Sequence, residues 1–505
     1  MEMITSLSSL FFALPFIALL SIFFLRRNHP PSNPPALSIL RGYPVVGNLP
    51  SFVRNHRRMV EWTSELLLAS PTGTVSVAPL VLTADPAAVE HVAKSSFHNY
   101  PKIPSFVSAF HDFLGTGILN SDGEPWRVQR RTAELEFGTR PLRSSVLEIV
   151  NSEIACHLFP LLQFKDRKQE LFDFQNVLGR FAFDVICRVV FGEDVRVLGE
   201  EKSELFYRAF DGAAAVSIDR SKQHFSALWK LKEWLDGASA KQLRESVRIL
   251  HESIDRLLQL RKAKSNGFLS RFVDDETLSA AHVRDVLINF VIAGRDTVPT
   301  ALTWFFWVLS SRPDVVEKIH DEIRSVRSSN ANDDDEEGSG DKAFGLDELR
   351  EMNYLHAAIT ETLRLHPPVP LTPRVSAVED ELPDGTPVGK GWMVIYNAHA
   401  MGRSERVWGP DCREFRPERW LDGAGGGRFR PASPFKYTAF HAGPRMCLGK
   451  EVAYVQMKAV AASVIEGFDV EVAEERGRFV LGMTMKMEGG LPVRVRERNP
   501  TAKIV

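Results

Sequence analysis

The sequence predicts a mainly α-helical fold with small β-sheets, carried behind one N-terminal membrane-spanning helix. Three observations lead there. Apolar residues recur at helical spacing through most of the chain, strand-like alternation is confined to short pieces, and a long uncharged run precedes a proline-rich stretch. The 505 residues are 44% hydrophobic and 25% charged, an ordinary globular composition that excludes disordered, collagen-like and disulfide-stapled chains. With 62 basic against 64 acidic side chains, the net charge of -2 offers no bulk attraction to nucleic acid.

From the N-terminus, Ile4 to Leu25 carries no charge and would span about 33 Å as a helix, enough for a hydrocarbon core. Arg26 and Arg27 follow at once, so the positive-inside rule leaves the rest of the chain in the cytosol. A cleaved signal fits worse, because there is no basic start and no small-residue cleavage site. Residues 1–27 are therefore read as an anchor, with the endoplasmic reticulum as the default membrane. Residues 28–50 hold six prolines, Pro30, Pro31, Pro34, Pro35, Pro44 and Pro50, and read as a stiff tether. Residues 51–505 show no further linker and read as one domain. Within it, the acidic stretch from Ser328 to Asp341 reads as a solvated loop.

Strand-like pieces lie at Gly73 to Thr83 and Met393 to Tyr396. Leu346 to Leu365 reads as one helix, with Leu349, Met352, Leu355, Ile359 and Leu363 on a stripe and Pro367 and Pro368 as its stop. His282 to Ser311 is the longest helical candidate, about 45 Å. Its apolar middle on every side marks a helix through the centre of a large core, while Arg284, Asp285, Asn289, Arg295 and Asp296 argue against a second membrane span.

The chemistry centres on Phe440-His-Ala-Gly443-Pro-Arg445-Met-Cys447-Leu-Gly449. It reads as a cysteine in a tight loop between glycines, just before a helix from Lys450 to Ile465. Glycines let backbone approach a flat ligand, and amides at a helix start favour a thiolate. Of the four cysteines, Cys156, Cys187 and Cys412 read as buried free thiols. One thiolate without a histidine pair does not make a zinc site, whereas haem iron needs only one protein ligand on its proximal side.

Phe440, Gly443, Arg445, Cys447 and Gly449 match the haem-binding signature F-x-x-G-x-R-x-C-x-G, and on these residues the chain resembles the cytochrome P-450 monooxygenases. Further motifs follow the family's order. Glu361 and Arg364 match E-x-x-R, a spacing that also suits an ordinary exposed pair. Phe415 to Trp420 matches the segment whose arginine, Arg419, joins them in a buried structural network. Trp126 and Arg130 match W-x-x-x-R. The resemblance implies that they, with Arg445 and Arg374, hold the propionates of haem b.

Ala293-Gly294-Arg295-Asp296-Thr297 matches [AG]-G-x-[DE]-T. Reductive activation of dioxygen consumes protons, and the resemblance gives Thr297 and Asp296 the roles of oxygen-holding hydroxyl and proton-relaying acid. Gly294 is expected to leave space for ligand. The rival reading of Thr297 is a hydroxyl bonded back to the carbonyl one turn earlier. Val298 and Pro299 depart from the common pattern, and Pro299 predicts a local opening of the helix at Arg295.

The glycines from Gly423 to Gly427 lack the strand and helix of a dinucleotide site. Electrons are therefore expected from NADPH through a membrane-bound cytochrome reductase, docking on Arg127, Arg131, Lys436, Lys450 and Lys458. The Arg295 form of the central motif, Leu302 to Trp307, Asn397 to Arg403 and Phe440 to Lys450 are similar to the plant branch that contains fatty-acid omega-hydroxylases. That resemblance implies oxidation at the terminal carbon of a long apolar chain. Two alternatives stand beside it: the side-chain terminus (C-26) of a sterol or steroidal saponin precursor, and jasmonoyl–amino-acid conjugates. Candidate pocket residues are Phe106, Phe110, Phe113, Ile118, Gly294, Val369, Leu371 and Met483, for which ordinary core packing is the rival reading. A peroxide-rearranging haem protein and a haem sensor are the competing functional classes.

Overall fold

A computed structural model describes residues 51, 54–222, 237–260, 270–273, 278–329, 343–423, 427–473 and 477–498. The anchor, the tether and most of the acidic loop lie outside the described residues. The strand-like piece near residue 73 folds as a hairpin, Thr74–Val77 (β1) with Leu80–Thr83 (β2), in the register Thr74 to Thr83. Two later strands complete this sheet, Leu371–Val375 (β3) and Met393–Asn397 (β4), in the order β1-β2-β4-β3. β2 and β4 run parallel, with Leu80 opposite Met393, and β3 closes the edge antiparallel to β4. An edge position suits β3, because Pro373 has no amide to give to a further strand. A second hairpin, Phe479–Leu481 (β5) and Met485–Met487 (β6), lies near the C-terminus.

Helices supply most of the mass. Those that build the site are Pro104–Leu114 (α1), Gly123–Phe137 (α2), Phe174–Phe191 (α3), Glu200–Lys222 (α4), Ala280–Leu309 (α5), Asn353–Leu365 (α6) and Lys450–Gly467 (α7). α5 is the expected central helix. Ser279 caps it by accepting the His282 amide at 3.2 Å, and residues on every side of it are buried. It packs on α3, α6 and α7. Against α3 the contact depends on Gly294, where a Cβ would come within 2.7 Å of Ile186 Cδ1. Gly294 is thus a helix-packing residue, and the expectation that it leaves space for ligand is overturned.

Two other expectations change. α5 runs as one helix from Ala280 to Leu309, so Pro299 does not end it at Arg295. Pro299 removes one donor, but the loss stays local. Thr300 Oγ1 donates to Asp296 O and Thr303 Oγ1 to Pro299 O, both at 2.7 Å, so both hydroxyls are spent on the helix's own carbonyls. The helix expected from Leu346 to Leu365 is split into Leu346–Glu351 and α6, because Met352 leaves the helical region with ψ of 80°. All five predicted stripe residues are buried, so the apolar stripe survives the break. Cys187 and Cys412 are buried thiols as expected, whereas Cys156 is exposed.

Candidate functional site

The cysteine loop is closed by its own backbone. The Cys447 amide donates to Phe440 O at 2.8 Å, and the Met446 amide to Gly443 O at 3.0 Å. Gly443 is required by its surroundings. It has φ of +66°, and a Cβ there would lie 2.0 Å from Ala93 O. The close approach is therefore to protein backbone, a correction to the flat-ligand reading of this glycine. Gly449 begins α7, and its amide donates to the Cys447 sulfur. Cys447 is exposed, yet burial is the largest influence on its thiol. Both facts describe a side chain that faces an internal gap. Burial pushes the thiol up, while the Gly449 amide, Arg130 and Lys450 pull it down. Burial thus opposes the thiolate that the Gly449 amide and the two cations favour.

Beside this loop lies a group of crowded cations. The Arg445 guanidinium stacks 4.1 Å from the Trp126 ring and donates to Asp122 Oδ1 at 2.6 Å. Its pKa falls to about 10, first through burial. Burial, Arg374 and Arg445 push Lys102 well below its usual value, and burial with Arg374 and Lys102 holds His441 down at about 4. Arg374 donates only as far as its neighbour's carbonyl, Pro373 O, at 2.8 Å. Asp122 is the acid that answers this set, so the cluster suits further carboxylates. Arg130 points elsewhere: its Nη1 donates to Met446 O at 2.6 Å, next to the cysteine.

On α5, Ala293 is exposed and Thr297, one turn on, is half-buried, each beside buried neighbours. Thr297 Oγ1 donates to Ala293 O at 2.7 Å, the back-bonded state that was its rival reading. Asp296 is buried, and its Oδ1 accepts from Arg295 Nη1 at 2.9 Å and faces Lys486 Nζ at 3.5 Å. Arg295, also buried, reaches Asp211 on α4 at 2.9 Å and stacks 4.3 Å from Tyr207. Asp211 and Lys486 are both about half exposed, so a chain of charged groups links Asp296 to the surface.

The frame is set by Glu361, fully buried on α6. It pairs with Arg364 through two bonds of 2.7 Å and accepts from the Arg416 amide at 3.0 Å and from Trp420 Nε1 at 2.9 Å. Arg419 approaches at 3.4 Å. Arg364 spends its remaining donors on Cys412 O, Glu414 O and Gly402 O. The pair is thus a satisfied core network, with the exposed i,i+3 reading excluded.

Residues 38–483 match the family model described as cytochrome P450. The chain belongs to the cytochrome P450 family. Cytochrome P450 CYP94D108 of Paris polyphylla is 44% identical over 487 residues, covering 95% of each chain. Cytochrome P450 94A2 of Vicia sativa is 37% identical over 525 residues, 99% of this chain and all of its own. Cytochrome P450 94C1 of Arabidopsis thaliana is 41% identical over 468 residues. These relatives mark a plant P450 of the 94 branch and make the chain a cytochrome P450 monooxygenase. The family binds haem through a cysteine thiolate, takes electrons that originate in NADPH from a redox partner, and acts on hydrophobic substrates.

Haem fits the P450 site here. A lone cysteine faces the gap, and an under-compensated cation cluster stands ready for two propionates. The sequence reading missed Lys102 and Asp122, which lie outside the motifs, and His441, an unspecified position of the cysteine signature; only folding joins them. Among the pocket candidates, Phe106, Ile118, Val369, Leu371 and Met483 are half-buried. Phe110 and Phe113 are not open; they pack against Phe106 and Phe210 in the core, at ring distances of 4.5 and 6.2 Å. Among the expected docking cations, Arg127 and Arg131 are exposed, and Lys436 and Lys450 partly so. Lys458 is buried, with its ammonium on Leu349 O and its pKa lowered to about 8, first by burial, and so cannot meet a partner.

Proposed function

We propose that this P450 inserts one atom of O2 into the terminal carbon of a long apolar chain, a fatty acid foremost. The observation that supports the reading is the exposed Cys447 in a loop of buried character, together with the exposed Ala293 and half-buried Thr297 on the central helix. When bound, haem b supplies the dioxygen activation. Cys447 ligates its iron, while Trp126, Arg374 and Arg445, with Lys102, hold its carboxylates. Arg130 stiffens the cysteine loop through Met446 O. Thr297 gives up its bond to Ala293 O and holds the proton being delivered. Asp296 supplies that proton, replenished along the charged chain toward Lys486 and Asp211. The half-buried Phe106, Ile118, Val369, Leu371 and Met483 form an apolar slot that admits a chain end and excludes water.

The segment from Ile4 to Leu25 serves as an anchor in the endoplasmic reticulum membrane, with the catalytic domain in the cytosol. NADPH–cytochrome reductase docks on Arg127, Arg131, Lys436 and Lys450. The test is incubation of microsomes carrying this chain and reductase with laurate, oleate, a jasmonoyl conjugate and a hydroxylated cholesterol, followed by product mass spectra. NADPH-dependent terminal hydroxy acids are expected. Products oxidised only in mid-chain, or only from the jasmonoyl or sterol substrate, contradict the reading.

A further inference from the structure

The loop that follows α1 is suspended from the central helix by two side chains. Asp285 Oδ2 accepts the Thr116 amide at 2.8 Å and the Thr116 hydroxyl at 3.1 Å. Asn289, fully buried, accepts the Leu119 amide through Oδ1 and donates through Nδ2 to Leu114 O, both at 2.8 Å. Two glycines make this approach feasible. A Cβ on Gly115, which has φ of +54°, would fall 2.1 Å from the Asp285 carboxyl, and one on Gly117 would fall 2.1 Å from Asn289 Nδ2. A fully buried amide, Asn289, and a half-buried carboxylate, Asp285, are thus committed to loop backbone.

Asp285, Asn289, Ala293 and Thr297 are each four residues apart, so they share one stripe of α5. The latch occupies the first two positions, and the open wall of the site occupies the next two. Ile118, half-buried, sits between the latched Thr116 and Leu119. We propose that Asn289 is a specificity-determining positioning residue, which holds Ile118 at a fixed height above Ala293 and so sets how far along an apolar chain oxidation can reach. Asp285 is the second anchor of the same latch. The inference rests on the terminal-oxidation reading.

The test compares full-length N289A and G117A with the unchanged protein, all loaded with haem. N289A removes the latch, and G117A leaves Asn289 in place but forces the loop away from it. Two quantities are read: the ratio of terminal to internal hydroxylation of laurate, and amide hydrogen exchange across residues 114–120. Both variants are expected to exchange faster in that segment and to lose about tenfold in the ratio. An unchanged ratio in a variant with a normal reduced carbon monoxide spectrum overturns the proposal. Should N289A fail to load haem, G117A decides alone. An unchanged protein that oxidises internal carbons defeats the terminal reading, while a product shift between it and G117A still upholds the latch.

Discussion

At the scale of single residues, Thr297 carries most of the chemistry assigned to α5 and little of its stability. Its hydroxyl returns to a carbonyl that the helix already uses, so the bond is a resting place rather than a strut. T297A should keep its melting temperature within a few degrees and lose about tenfold or more in product per NADPH, with the electrons recovered as hydrogen peroxide. Unchanged coupling would remove the hydroxyl from proton handling. Glu361 is the opposite case. It bonds Arg364 and the one turn that carries Arg416, Arg419 and Trp420, and no open surface, so E361Q strands a buried guanidinium. A loss of about 3–5 kcal/mol in urea unfolding is expected, together with poor haem retention. A variant of normal stability would show that the network is dispensable.

At the scale of elements, the cysteine loop depends on one glycine more than on its other fixed positions. G443A must relieve a 2.0 Å contact with Ala93 O from a left-handed backbone, and both costs fall on the segment that presents Cys447. Expression of G443A should give mostly haem-free protein, read by the Soret absorbance per milligram; full haem content would contradict the geometry. The elements themselves were largely legible. α5, α7 and the β1-β2 hairpin lie within two or three residues of their sequence-based bounds, because all-round apolarity, a helix start after glycine and alternation are local signals. The break at Met352 was not legible, since both halves keep the same apolar stripe. Nor was the role of Gly294, because a helical glycine can serve a ligand or a neighbouring helix, and only the position of Ile186 decides. The motif residues were found because they are contiguous or closely spaced. Lys102 and Asp122 lie outside every motif and His441 fills an unspecified position inside one, so no pattern marks them as neighbours of Arg445. The burial of Lys458 escaped for the same reason: its partner, Leu349 O, is remote in sequence.

At the scale of the whole molecule, the sheet that carries Arg374 pairs residue 80 with residue 393, and the site exists only once that closure is made. The interior so formed also holds neutral histidine. His356 lies between Tyr454 and Phe429, both ring distances 4.1 Å, and burial followed by Lys458 and Lys450 takes its pKa from 6.5 to about 3. Below pH 6.5 the unfolded chain binds a proton there that the folded chain refuses, so stability falls as pH falls, by about 1.4 kcal/mol per unit for this one group. Asp184, raised to about 7 chiefly by burial, acts with the opposite sign, so the difference between H356F and the unchanged protein is the informative quantity. H356F should gain in relative stability between pH 7 and pH 5 in urea titrations; parallel behaviour would show that His356 is protonated in the fold. The chemistry proposed for Thr297 and Asp296 requires that the sulfur of Cys447 bind haem iron. The direct measurement is the absorbance difference between reduced protein with and without carbon monoxide. The strongly red-shifted Soret band of thiolate ligation should appear in the unchanged chain and vanish in C447S, whereas its absence from haem-loaded unchanged protein, or its persistence in C447S, would contradict the account.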